Sequence, residues 1–163
     1  MIILGIDPGI ATVGWGVIDV QGNQTTAVAF GHISTSPQSP PSRRLAEISR
    51  DLSEIISKYP PEEAAVEELF FLNNQKTAMM VAQSRGCILL TLENLRVKVH
   101  GYTPLEVKQA LTNYGRADKS QVQLMVKSLL KLSAVPKPDD VADALAIAIC
   151  HAHRRKMEAI RNS

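Results

Sequence analysis

The sequence predicts an α/β fold in which a mixed sheet is flanked by helices and the first three strands run antiparallel. Three observations carry this. The first third alternates strand-like runs with short turns. The remainder interleaves amphipathic helical stretches with short apolar runs. A length of 163 residues, 45% hydrophobic and 21% charged, suits one ordinary core and leaves no room for a second full domain, so a single domain over 1–163 is expected.

The strands come first. "IILGID", "TVGWGVIDV" and "TTAVAFGHIS" are separated by "PGIA" and "QGNQ", both rich in turn residues. Connections this short join antiparallel neighbours. "SPQSPPS" interrupts the pattern as a loop, and Leu45, Ile48, Leu52, Ile55, Ile56 and Tyr59 then recur at helical spacing behind Ser42, the expected cap. "AAVEELFF" reads as a mostly buried strand and "NNQKTAMMVAQSRGCILLTLENL" as a long helix, with Gly86 placed for close packing on another element. "RVKVHGY" is a further strand. Thr103-Pro104-Leu105-Glu106 is a capping box with proline at the first helical position, predicting a helix to about Asn113. Asp118 is expected to cap "KSQVQLMVKSLLKL". The last helix, from "PKPDDVADALAIAICHAHRRK", is apolar on nearly every side through "VADALAIAI" and should be buried.

Charge excludes little, because a net +2 arises on any protein of this kind. The tail "HAHRRKMEAIR" suits a polyanion or, equally, a solvated helix end whose cations oppose the dipole. Cys87 and Cys150 stand far apart with no metal-ligand spacing, which argues against a zinc site or a disulfide framework and for a reducing, cytoplasmic setting. The first residues do not form a secretory leader, and no apolar run approaches the ~18 residues that cross a bilayer.

Four carboxylates sit where a carboxylate is awkward. Asp7 ends an apolar strand, Glu67 lies inside "AAVEELFF", and Asp140 and Asp143 share a face at the start of the apolar last helix. Taken singly, Asp7 reads equally as a turn residue before Pro8, Asp140 as a helix N-terminal acid, and Glu67 as an exposed strand residue with Glu68 inward. Asp143 has little polar face to occupy. A hard divalent cation explains all four together: magnesium takes oxygen ligands and leaves positions open for a phosphate oxygen. Paired ions of this kind serve in-line displacement at phosphorus.

"GIDPG", "VEELFF" and "DDVADALAIAICH", in this order and at these separations, resemble the acidic motifs of the RuvC-type Holliday junction resolvases, nucleases of the ribonuclease H-like superfamily. The resemblance runs from Met1 to about His153. It implies a five-stranded ribonuclease H-like fold and a homodimer that resolves four-way (Holliday) DNA junctions by paired nicks leaving 5′-phosphate ends, in recombination and repair. It puts the metal-binding and catalytic acids at Asp7, Glu67, Asp140 and Asp143, for Mg2+ with Mn2+ as substitute and two ions per site. It also implies a branch-migration helicase complex as partner. Lys119 matches a lysine of the family's "EKSQV"-like segment that assists catalysis, and Phe70 falls on a base-stacking aromatic.

Phosphate contacts come mainly from Lys, Arg and helix N-termini, which makes Lys76, Lys108, Arg116 and Lys119 the DNA-binding candidates. Each reads otherwise as an exposed cation. Phe70 and Phe71 would by pattern alone pack in the core, and the resemblance shifts Phe70 to the DNA. Met79 and Met80 divide evenly between core and a dimer interface, which the family builds around this helix. The opening stretch also resembles the phosphate motif of actin-like ATPases, but their second glycine-rich loop is missing. Other readings are a related RNA-processing nuclease and a non-catalytic junction-binding protein using "TPLEVKQALTNYG" and "KSQVQLMVKSLL" as a helix-turn-helix; the latter leaves the four acids unexplained.

Overall fold

A computed structural model describes residues 1–68 and 75–162, with Gln75 and Lys76 described by backbone alone. The readings on Phe70, Phe71 and the Lys76 side chain therefore lie outside the described residues. The strands are β1 (Ile2–Asp7), β2 (Thr12–Gln21), β3 (Gln24–Ser34), β4 (Glu63–Glu67) and β5 (Lys98–Tyr102), in the sheet order β3-β2-β1-β4-β5. As expected, β1, β2 and β3 pair antiparallel, while β4 lies parallel to β1 and β5 parallel to β4.

The parallel strands need crossovers, and helices supply them. These are α1 (Pro41–Lys58), leading into β4, and α2 (Gln75–Asn94), leading into β5. Three more helices follow: α3 (Pro104–Thr112), α4 (Lys119–Leu129) and α5 (Asp139–Arg161). Alternation along β1 feeds a core on each face of the sheet. Ile3 joins Leu145, Ile147 and Ile149 of α5, whereas Leu4 and Ile6 join Ile48 and Leu52 of α1 and Ile88 and Leu92 of α2. From Val141 to Ala152 every residue of α5 except Asp143 is buried, as its apolar run requires.

Two expectations need correction. Ser42 is not the cap of α1: Pro40 holds that position without a side-chain hydrogen bond. Pro41 follows at the first helical position, where a missing N–H costs nothing, and the helix starts two residues earlier than a serine cap would allow. Gly86 does not pack closely on another element, since a Cβ built there would meet nothing within 4 Å. The capping boxes at Thr103/Glu106 and Asp118/Gln121 are both formed. No described helix is long and apolar enough to cross a membrane.

Candidate active site

Sheet register puts the first two acids side by side. Ile6 pairs with Val66 across the parallel β1 and β4, so Asp7 and Glu67 come next on adjacent strands, which stand ~4.8 Å apart. The loop after Asp7 is pinned at two carbonyls, with a further brace behind one of the donors. Buried Ser84 of α2 donates to the Gly9 carbonyl at 2.7 Å, Thr35 donates to the Ile10 carbonyl at 2.5 Å, and buried Arg44 holds the Thr35 hydroxyl at 2.7 Å. On β4, Arg85 Nε donates to the Glu67 carbonyl at 2.9 Å. These braces fix where both carboxylates start.

The other two acids arrive on α5, which lies directly on the glycines of β1 and β2. A Cβ on Gly14 would overlap the Asp140 carbonyl, one on Gly5 would overlap the Ala144 carbonyl, and one on Gly16 would collide with Leu145. Bare backbone there lets the first turns of α5 settle over the ends of the strands. That contact carries Asp140 and Asp143 toward Asp7 and Glu67.

The electrostatics report the result. Burial, then the charges of Glu67, Asp143 and Asp140, push Asp7 up to about 8, with Lys119 opposing. Glu67 is pushed up to about 7 by burial and by Asp143, eased by a hydrogen bond with Asp7 and by Lys119. Asp143 is also raised, by burial first, while Lys119 pulls it down. Lys119 stands at the first turn of α4 with Nζ 3.0 Å from Asp143 Oδ2 and 3.6 Å from Asp139 Oδ2. Burial works against its charge, but the bond to Asp143 and the charges of Asp143 and Asp139 win and raise it. At neutral pH Asp7 therefore stays largely protonated and Glu67 partly so, while Lys119 offsets charge on Asp143 and Asp139.

The structure therefore gathers Asp7, Glu67, Asp140, Asp143 and Lys119 in one place. A cleft of about 210 Å³ opens there, lined by Glu67, Asp143, Lys119 and Lys108 among others. Arg116 is exposed in the turn between α3 and α4 and does not line this cleft. Sequence reasoning missed Arg85, Ser84, Arg44 and Asp139. Ser84 and Arg85 interrupt the apolar run of α2, a pattern that signals a task within the fold without naming it, whereas Arg44, beside Arg43 at the start of α1, reads as one more exposed cation. Asp139, between Lys137 at 2.7 Å and Lys119, reads in the sequence as one more first-turn acid.

A five-stranded mixed sheet with carboxylates at the ends of its adjacent first and fourth strands, completed by acids on a terminal helix, is the ribonuclease H-like nuclease arrangement. The family model for crossover junction endodeoxyribonuclease RuvC matches residues 3–151. Crossover junction endodeoxyribonuclease RuvC of Alkaliphilus oremlandii is 54% identical over 153 residues, covering 94% of this chain and 93% of its own. The same enzyme of Halothermothrix orenii is 53% identical over 157 residues, with 96% and 95% covered. The structure of Thermus thermophilus RuvC in complex with Holliday junction substrate superposes with a TM-score of 0.92 at 38% identity, over 97% of this chain and 96% of that one. The chain belongs to the RuvC family of crossover junction endodeoxyribonucleases.

Proposed function

We propose that this chain resolves four-way DNA junctions by paired phosphodiester hydrolysis, with Asp7, Glu67, Asp140 and Asp143 as ligands for two magnesium ions and Lys119 assisting. The observation that carries the proposal is the convergence of carboxylates whose burial, reinforced by their mutual repulsion, pushes Asp7 up to about 8 and Glu67 up to about 7. Such a group holds protons unless cations replace them. Its donors are all carboxylate oxygens, the set that suits magnesium, with manganese as substitute, over softer ions. When bound, the ions supply Lewis-acid charge to the phosphoryl oxygens and lower the pKa of water.

The chain's own groups have separable tasks. The braces on Asp7 and Glu67 keep the carboxylates from reorganising as substrate arrives. Lys119 neutralises Asp143 in the free protein and turns to a phosphate oxygen once cations take over the carboxylates. Lys108, in the cleft wall, meets the strand's phosphates; Arg116, outside the cleft, and Lys76 make further phosphate contacts, and Phe70, by the family resemblance, stacks on a base at the opened junction. Removing the Lys119 charge (Lys119→Ala) should lower the single-turnover cleavage rate by ~10–100-fold with junction affinity changed by less than about threefold, measured at saturating magnesium. An unchanged rate would detach Lys119 from the chemistry.

A homodimer suits paired cuts on a two-fold junction. Met79, Gly86 and Leu90 share one face of α2, with Met79 65% and Leu90 62% exposed and open space over Gly86, so this face is available to a second copy. A branch-migration helicase as partner rests on the family resemblance alone. Cytoplasmic placement accords with the two free cysteines. The experiment compares synthetic four-way junctions with linear duplex, with magnesium and with chelator. Symmetric nicks with 5′-phosphate ends on the junction alone, lost in chelator while binding persists, are expected. Cleavage in chelator would overturn the metal-dependent reading.

A further inference from the structure

A second cluster of metal-ligating side chains lies on the same helix–sheet seam, at its opposite end. From Glu67 back to Glu63 is ~13 Å of strand, and from Asp143 on to His151 is ~12 Å of helix. His151 of α5 therefore meets Glu63 of β4, Nε2 to Oε2 at 2.7 Å. Ala65 pairs with His100 across β4 and β5, which turns His100 to this face as well, its ring centroid 4.4 Å from that of His151. One donor atom from each of Glu63, His100 and His151 lies within 4.8 Å of the others.

We propose that Glu63, His100 and His151 bind a borderline divalent ion of the zinc class, separately from the carboxylate cluster. Two imidazoles and one carboxylate are a three-ligand zinc set with a fourth position open, and imidazole disfavours magnesium. Donor atoms around a tetrahedral zinc stand ~3.3 Å apart, so the observed separations close with small rotations. Two further observations support this. His100 Nε2 is buried without a hydrogen-bond partner, 3.5 Å from the same Glu63 oxygen, which leaves a ring nitrogen aimed into the cluster and unused. His151 Nδ1 is held at 2.6 Å by the Tyr102 hydroxyl, the kind of outer contact that fixes the orientation of a ligating histidine.

Cations compete for the carboxylate. Arg155 Nε is 3.3 Å from Glu63 Oε2 and Lys98 Nζ 3.9 Å from Oε1, but both side chains are substantially exposed and can turn to solvent. A bound ion would tie β4, β5 and α5 together.

The test uses the full chain, stripped of metal, with saturating magnesium present to occupy the carboxylate cluster. Cobalt(II) serves as the spectroscopic probe and zinc as competitor. One equivalent of cobalt should give the visible bands of a low-coordinate nitrogen-ligated ion, and zinc should bleach them. His100→Ala should weaken uptake at least tenfold, Arg155→Ala should strengthen it, and both should keep magnesium-dependent cleavage. Zinc should also move the imidazole resonances of His100 and His151 in the unaltered chain, a reading that does not depend on how any variant folds. Uptake unchanged by His100→Ala, or resonances unmoved by one equivalent of zinc, overturns the proposal.

Discussion

Asp7→Asn should abolish junction cleavage, by about three orders of magnitude, while junction binding persists. The side chain keeps its shape and loses the charge that a divalent ion needs, and the electrostatic contribution of such an ion is several kcal/mol, each 1.36 of which is tenfold in rate. The same substitution should raise the stability of the protein in chelator. Asp7 has an ordinary value of 3.8 and is pushed up to about 8 in the fold, and Glu67 moves from 4.5 to about 7. Between those values the folded state holds more protons than the unfolded one, so stability falls as pH rises from about 4 to 8. In chelator the melting temperature should therefore drop between pH 6 and pH 8 by several degrees, corresponding to a few kcal/mol for a chain of this size. Asp7→Asn should flatten that slope, and magnesium should reverse it. Full cleavage by the variant removes Asp7 from the mechanism; a melting temperature that rises toward pH 8 in chelator removes the burial of repelling carboxylates.

Gly14→Ala carries the second large effect, on a residue with no chemistry of its own. The added methyl would overlap the Asp140 carbonyl and press on its Cβ at 3.0 Å, both parts of a buried helix. The helix must back away, because backbone cannot rotate aside as a side chain can. Overpacking of this kind costs ~1–3 kcal/mol. A displacement on the order of 1 Å at reacting groups costs ~100-fold in rate. The variant should thus remain folded, lose ~100-fold in cleavage and show weakened manganese binding by calorimetry. Intact cleavage would mean that the seat of α5 on β2 does not set the position of Asp140.

Much of this architecture was legible in the sequence for identifiable physical reasons. "IILGID" and "VADALAIAI" carry apolar residues with no room for a solvated face, so a central strand and a buried helix follow directly, and their embedded acids stand out as anomalies. Thr103 and Asp118 announce helix starts through local hydrogen bonds, which need no tertiary partner. What was hidden depends on partners distant in the chain. Ser42 offered a cap, but the Pro40–Pro41 pair had already set the backbone. Gly5, Gly14 and Gly16 look like flexible strand residues until α5 is laid on them. The cluster of Glu63, His100 and His151 comes from three elements and exists only in the register Ala65 to His100, which no local pattern specifies. The partners of Ser84 and Arg44 in bracing the Asp7 loop are hidden for the same reason.

Anomalous scattering from manganese soaked into crystals of the full chain tests the central claim most directly. Peaks among the carboxylates of Asp7, Glu67, Asp140 and Asp143, absent in crystals of Asp7→Asn, are the expected result. Manganese seen elsewhere on the protein with none among those four side chains would contradict it.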